Sequence, residues 1–437
     1  MEKINHLVHA KWIITCEDQN RVLSNHALAI KDGKITAILP GKDADNLYQA
    51  DEVHYYDRHA IMPGFINAHT HCAMNIFRGL ADDLELMDWL NHYIWPAETK
   101  WVSEELVYDA SRLAIAEMIR SGTTCFNDMY FFLGATAKAA ENAGVRAFIG
   151  MTVIDVPTAW AKTTDEYFAK AIEFYHQYKN SALITPTVAP HSTYTVSIEN
   201  LAKVKALADE YKLKINIHLQ EAPSEMTQSM KLFNKRPLER LNEIGMVNSD
   251  LIAIHMTQIN DDDMKILQKH KPNIVHCPES NMKLVSGSCP VEKLHQHGIN
   301  VALGTDGAAS NNDLDMFGEM RTAAFLGKIT ADDPKAVPAE HVLKMATLHG
   351  ARALGIEHLT GSLTQGKVAD FIAINFEEIE TQPLYHPISQ IVYSTPRNQV
   401  TDVWVAGKQL MKDRELLTLN QEELIQRAYQ WSKKIKS

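Results

Sequence analysis

The sequence predicts an α/β protein, a (β/α)8 TIM barrel with a small β-sandwich built from both chain termini. Three observations predict it. Eight short apolar runs alternate with helix-length amphipathic segments, several of those runs end in histidine or aspartate, and the 437 residues exceed the ~250 of a typical barrel at both ends.

The runs that read as strands lie near 61–68, 123–128, 145–153, 183–188, 214–219, 251–255, 273–277 and 299–305. Among the intervening segments, Ser103 to Arg120 places Leu106, Val107, Leu113, Ala114 and Met118 along one helical face. Ser103 is positioned to cap that helix, and Glu104 and Glu105 favour the positive end of its dipole. Residues 61–368 are therefore assigned to the barrel, and 1–60 with 369–437 to a composite β-sandwich domain. Ala27 to Leu39 reads as a hairpin turning at Asp32-Gly33, while Ala369 to Asn375 and Asp402 to Met411 repeat that texture with a turn at Gly407. Neither end carries enough apolar surface for its own core, so the two are expected to pair. Gln421 to Lys436 reads as a terminal amphipathic helix.

Composition removes several classes of function. Formal charge is −11 with no basic run to track a phosphate backbone, which argues against nucleic acid as a partner. No apolar run approaches the ~20 residues that span a bilayer, and the N-terminus lacks a basic segment followed by an apolar one. Five cysteines without paired CxxC spacing suggest reduced thiols, so a cytoplasmic location is expected.

The chemistry lies at the ends of the predicted strands. Ala60-Ile-Met-Pro-Gly-Phe-Ile-Asn-Ala-His-Thr-His71 closes an apolar run with two histidines two residues apart. Strand alternation points His69 and His71 the same way, where they can share a metal ion, and points Cys72 elsewhere. Lys-Ile-Asn-Ile-His218 is followed by Glu221, Leu-Ile-Ala-Ile-His255 repeats the pattern, and Asn-Val-Ala-Leu-Gly-Thr-Asp306 ends in a carboxylate. Packing alone would put apolar residues there, whereas a barrel draws its active-site residues from the C-terminal ends of its strands.

In order along the chain, Pro63-Gly-Phe-Ile-Asn-Ala-His-Thr-His71, His218 with Glu221, His255, Cys277-Pro-Glu-Ser-Asn-Met-Lys283 and Thr305-Asp-Gly-Ala-Ala-Ser-Asn311 resemble the amidohydrolase superfamily. Within it the chain is similar to the 5'-methylthioadenosine/S-adenosylhomocysteine deaminases. The resemblance implies that His69, His71, His218 and Asp306 hold a divalent metal, zinc or alternatively iron, which acidifies a bound water. It implies that Glu221 protonates N1 of an adenine while the activated water attacks C6 and ammonia leaves. Asp306 would take the water's proton and His255 would hold or orient the water. Two-metal relatives carry a bridging lysine at the end of the fourth strand; Leu183 to Tyr194 contains none, so one metal per chain is expected.

For the substrate, the resemblance implies that Glu98 accepts the ribose hydroxyls, that Trp89 covers the nucleoside and that His191 lies near purine and ribose; Ser310 is a further pocket candidate. Beyond Arg146 no arginine follows until Arg236, and Met151, Val153, Pro157 and Trp160 offer an apolar lining that suits a methylthio group better than a zwitterion. Lys162 is the one nearby cation. The expected reaction is deamination of 5'-methylthioadenosine to 5'-methylthioinosine and ammonia, in purine salvage, with S-adenosylhomocysteine or adenosine as further substrates and a homo-oligomer, dimer or tetramer, as the assembly. An s-triazine chlorohydrolase or a guanine-type deaminase would use nearly the same metal set. A non-catalytic metal-binding scaffold is disfavoured by the intact ligand set together with Glu221.

Overall fold

The computed structural model describes residues 1–436. Eight parallel strands form the barrel, each hydrogen-bonded to its neighbour in sequence order: Phe65–Thr70, Thr123–Tyr130, Arg146–Val153, Ile184–Pro190, Ile215–Leu219, Leu251–His255, Asn273–His276 and Val301–Leu303. Every position but one in them is buried, as strands covered by helices outside and packed side chains inside must be. The helix after the first strand runs Glu104–Arg120, and Ser103 Oγ accepts from the Leu106 N–H at 3.3 Å, the cap its sequence predicts.

The first strand departs from its predicted span. Ile61–Pro63 belongs to the long strand Tyr48–Pro63 of the other sheet, and the chain enters the barrel only at Phe65. The apolar run is continuous in composition because both halves are buried, so hydrophobicity does not mark the crossing. Barrel closure brings the two outer strands together just beyond their ends: the Asp306 N–H donates to His69 O at 3.0 Å, and Asn67 exchanges side-chain hydrogen bonds with Thr305. A Cβ on Gly304 would lie 2.8 Å from the His69 nitrogen, so this approach requires glycine. Closure thus sets Asp306 beside the His-x-His pair.

Strands from both chain ends form one hydrogen-bonded series. Its order is Glu415–Leu416, Lys408–Lys412, Val400–Val405, Phe371–Asn375, Tyr48–Pro63, Glu2–Ile14, Val22–Lys31 and Lys34–Pro40. The join is antiparallel, Phe371 opposite Pro63 and Ile374 opposite Ala60. Asp32 and Gly33 both take positive φ, +50° and +73°, as a two-residue hairpin turn demands, and Gly33 packs against the Ala406-Gly407 turn. A buried Arg146–Asp370 ion pair at 3.3 Å ties this sheet to the barrel. The terminal helix, Gln421–Lys436, is held on barrel helix Glu104–Arg120, where Trp431 Nε1 and Arg427 Nε both donate to Asp109 at 2.9 Å. Among the described residues, no helix is long and apolar enough to cross a membrane.

Candidate active site

Four donor atoms converge at the C-terminal mouth of the barrel. His69 Nε2 and His71 Nε2 each lie 3.2 Å from Asp306 Oδ1, and His218 Nε2 lies 3.3 Å from both. Ligands about 2.0–2.1 Å from a tetrahedral ion are about 3.3 Å from one another, so these separations are those a shared ion would impose. The rings are set from behind: Nδ1 of His71 donates to Met129 O at 2.6 Å and Nδ1 of His218 to His191 O at 2.7 Å, leaving each Nε2 lone pair aimed at the centre. Asp306 Oδ2 accepts from Ser280 Oγ at 2.7 Å and Ser310 Oγ at 2.9 Å, while Oδ1 accepts from the Gly307 N–H.

The electrostatics hold two of the three histidines in the neutral, metal-ready form. Burial lowers His69 to about 4 and drives His218 well below the ordinary imidazole range, so both rings are neutral near pH 7. Burial works against charge on His71 too, yet the adjoining Asp306 carboxylate outweighs it and raises the ring to about 9. A cation at the shared centre acts in the opposite direction. Burial would raise Asp306, but hydrogen bonds to His69 and His71 hold it well below the usual carboxylate range.

Glu221 and His255 stand beside this cluster. Ile254 pairs with His218 across the fifth and sixth strands, which sets His255 one residue nearer the mouth. Its Nδ1 donates to Asn281 Oδ1 at 2.9 Å, and its Nε2 faces Glu221 Oε2 at 3.8 Å. Burial raises the Glu221 carboxyl above its ordinary value, against the opposing field of His255. Four residues at this mouth have left-handed backbones, His255 (φ +74°), Met256 (+47°), Gln220 (+50°) and Asp306 (+61°), conformations that persist only where the surroundings enforce them.

Above the cluster opens a cavity of about 610 Å³, lined by Trp89, Glu98, His191, Lys162 and Ser310 among others. Tyr130 donates to Glu98 Oε1 at 2.6 Å, and burial, opposed by that bond, raises Glu98 to about 6. His191 pairs through Nδ1 with Thr195 Oγ1 at 2.8 Å; burial lowers it to about 4 and keeps it neutral. The Lys162 ammonium donates to Thr158 O at 2.6 Å.

Met151 is a correction. It is fully buried in the layer between strands and helices with Ile149 and Val153, because odd-numbered positions of Arg146–Val153 face outward. Trp160 packs in the same layer, at 5.4 Å from Tyr167. The apolar wall is made instead by Ile154, Val156 and Pro157, with Thr152 from the inward face. Two further residues escaped the sequence reading. Tyr130 anchors Glu98, and Glu225 accepts from the Glu221 N–H at 2.9 Å and from Thr193 Oγ1 at 2.9 Å. The four-residue spacing from Glu221 to Glu225 was the available signal.

A metal-binding donor set at the mouth of a β/α barrel, backed by an acid, defines the class. Residues 60–410 match the model of the amidohydrolase family, and the chain belongs to that family. It is 44% identical over 432 residues to a 5-methylthioadenosine/S-adenosylhomocysteine deaminase of Teredinibacter turnerae, covering 99% of this chain and 98% of the relative. It is also 44% identical to a 5'-deoxyadenosine deaminase of Methanosphaera stadtmanae, over 83% of this chain and 85% of that one. A zinc-bound adenosine deaminase crystal structure from Xanthomonas campestris superposes with a TM-score of 0.98 at 44% identity, covering 100% of this chain and 99% of that one. Within the family, the chain falls among the 5-methylthioadenosine/S-adenosylhomocysteine deaminases, hydrolases acting on C–N bonds.

Proposed function

We propose that this protein deaminates 5'-methylthioadenosine to 5'-methylthioinosine and ammonia, with one zinc ion per chain held by His69, His71, His218 and Asp306. The observation that carries the reading is the four-donor cluster with Glu221 beside it, at the base of a cavity whose wall offers Glu98 and the apolar side chains of Ile154, Val156 and Pro157. Such an ion, when bound, lowers the pKa of its water to about 7.

The chain's own residues manage the protons and the fit. Glu221, raised by burial, keeps its proton at a pH where a solvated carboxyl has lost it, and gives that proton to ring N1. Water adds at C6 and the exocyclic amine departs as ammonia. Asp306, held strongly acidic, takes the water's proton only transiently and passes it to the departing amine, and its two serine donors fix its orientation. His255, locked by Asn281, orients the water through Nε2. Glu98 accepts the ribose hydroxyls, Trp89 covers the nucleoside, and neutral His191 contacts purine and ribose. A vicinal diol gives Glu98 a purpose that a free base or an s-triazine would not. The apolar wall fits a 5'-methylthio group, and 5'-deoxyadenosine fits it too, in keeping with the likeness to the Methanosphaera stadtmanae protein. The chain is read as a cytoplasmic homo-oligomer acting on small molecules.

The test is a deamination screen of 5'-methylthioadenosine, S-adenosylhomocysteine, 5'-deoxyadenosine, adenosine and guanine, followed by the ultraviolet change from adenine to hypoxanthine or from guanine to xanthine. Highest kcat/KM on 5'-methylthioadenosine is expected. Turnover of guanine alone would overturn the reading.

A further inference from the structure

A second set of convergent donors lies outside the barrel, on the sheet built from the chain ends. Strands Glu2–Ile14 and Tyr48–Pro63 run parallel there, with His6 opposite Glu52 and Val8 opposite His54. Positions two apart in a strand share a face, so His6, Glu52 and His54 rise from one face of neighbouring strands. His54 Nε2 is 3.3 Å from His6 Nδ1, and Glu52 Oε2 is 3.5 Å from the first and 3.7 Å from the second. Trp404 packs edge-on to both rings, at 5.1 Å from His6 and 5.0 Å from His54, which fixes their planes from below.

We propose that His6, Glu52 and His54 bind a second divalent ion of the zinc type, staple the first strand of the chain to the strand that leads into the barrel, and leave the ion exchangeable with solvent. Two imidazoles and a carboxylate are a donor set that suits zinc, nickel or copper rather than calcium or magnesium. The carboxylate oxygen is too far from either ring nitrogen for a good hydrogen bond, usually 2.7–3.2 Å, but close to the ~3.3–3.4 Å edge of a tetrahedral site. The half-buried histidines and exposed Glu52 leave the outer position open to water, unlike the enclosed cluster in the barrel.

Zinc chloride alone is the probe, added by equilibrium dialysis to full-length protein freed of exchangeable metal by brief chelation. Wild type is expected to take up one zinc more than His6→Asn/His54→Asn, with deaminase activity equal in the two. His69→Ala should lose activity yet keep the exchangeable site, which separates this inference from the assignment of the barrel cluster. Glu52→Gln changes only an exposed side chain and so serves even if the double variant folds poorly. Since groups that merely support a metal ligand are worth 10- to 100-fold in affinity, loss of a ligand should weaken the exchangeable site at least about tenfold. Equal zinc uptake by wild type and the double variant, or unchanged affinity in Glu52→Gln, would overturn the proposal.

Discussion

The two halves of the barrel mouth are built on different scaffolding. The donor cluster and Glu221 stand at or just past strand ends, where backbone pairing and closure through the Asp306 N–H fix them against one another. The facing wall comes from connecting segments: Glu98 from the short helix Trp95–Trp101, and Ile154, Val156 and Pro157 from the stretch after the third strand. Strand ends give rigid chemistry, and connecting segments give a surface that can change without disturbing it. Substitutions in the first half should therefore abolish turnover whatever the substrate, while those in the second should redistribute efficiency among substrates.

The largest effect is expected at the metal ligands. His69→Ala or Asp306→Asn should release the ion from the barrel site and reduce deamination to background for every substrate, checked by metal analysis beside activity. Full activity with two ions in the barrel site, or without Asp306, would break the assignment. Next comes Glu221→Gln, which keeps the shape and removes the proton. It should lower kcat by at least the ~10²-fold assigned to general acid–base work while metal content stays unchanged. Near-normal turnover would mean that another group carries the proton.

Much of the first half was legible in the sequence because two simple periodicities govern it. Alternation within a strand pairs His69 with His71, and strand-ending polar residues stand out against apolar runs. The rest was hidden for physical reasons. Met151 has the right chemistry for the wall and the wrong parity, and a one-residue shift along a strand moves a side chain to the opposite layer. Ile61–Pro63 and Phe65–Thr70 read as one run because a chain crossing between two buried sheets stays apolar. Tyr130 meets Glu98 across 32 residues, a contact set by how a loop helix docks on a strand end, which no local pattern encodes.

Effects in the second half should be smaller and substrate-dependent. With no arginine between Arg146 and Arg236, and with Lys162 already bonded to Thr158 O, the homocysteine zwitterion would lose hydration without a dedicated partner. 5'-Methylthioadenosine should exceed S-adenosylhomocysteine in kcat/KM by roughly tenfold or more. Equal efficiency that is lost in Lys162→Ala would show that the lysine serves as that partner. Glu98 predicts a pH signature. Burial raises it to about 6, so its acceptor carboxylate is present above that pH and fades below it. Nucleoside kcat/KM should accordingly fall as pH drops through about 6, and Glu98→Gln should remove that limb while weakening nucleosides at every pH.

The smallest effects distinguish the two faces of one segment. Met151→Leu conserves volume in the layer between strand and helix, so any stability loss should stay under about 1.5 kcal/mol and kcat/KM should not move. Val156→Ser lies five residues on, half-exposed along the cavity, and removes apolar contact from the proposed 5' wall. At roughly 25 cal/mol per Å², losing part of one valine's contact costs on the order of 1 kcal/mol, or about fivefold in kcat/KM. That loss should appear with 5'-methylthioadenosine and not with adenosine, whose 5' hydroxyl has no methylthio group to lay on the wall. The ratio of the two substrates, measured for both variants, is insensitive to small losses of folded protein. A drop in the ratio for Met151→Leu, or none for Val156→Ser, would place the substrate's 5' end elsewhere in the cavity.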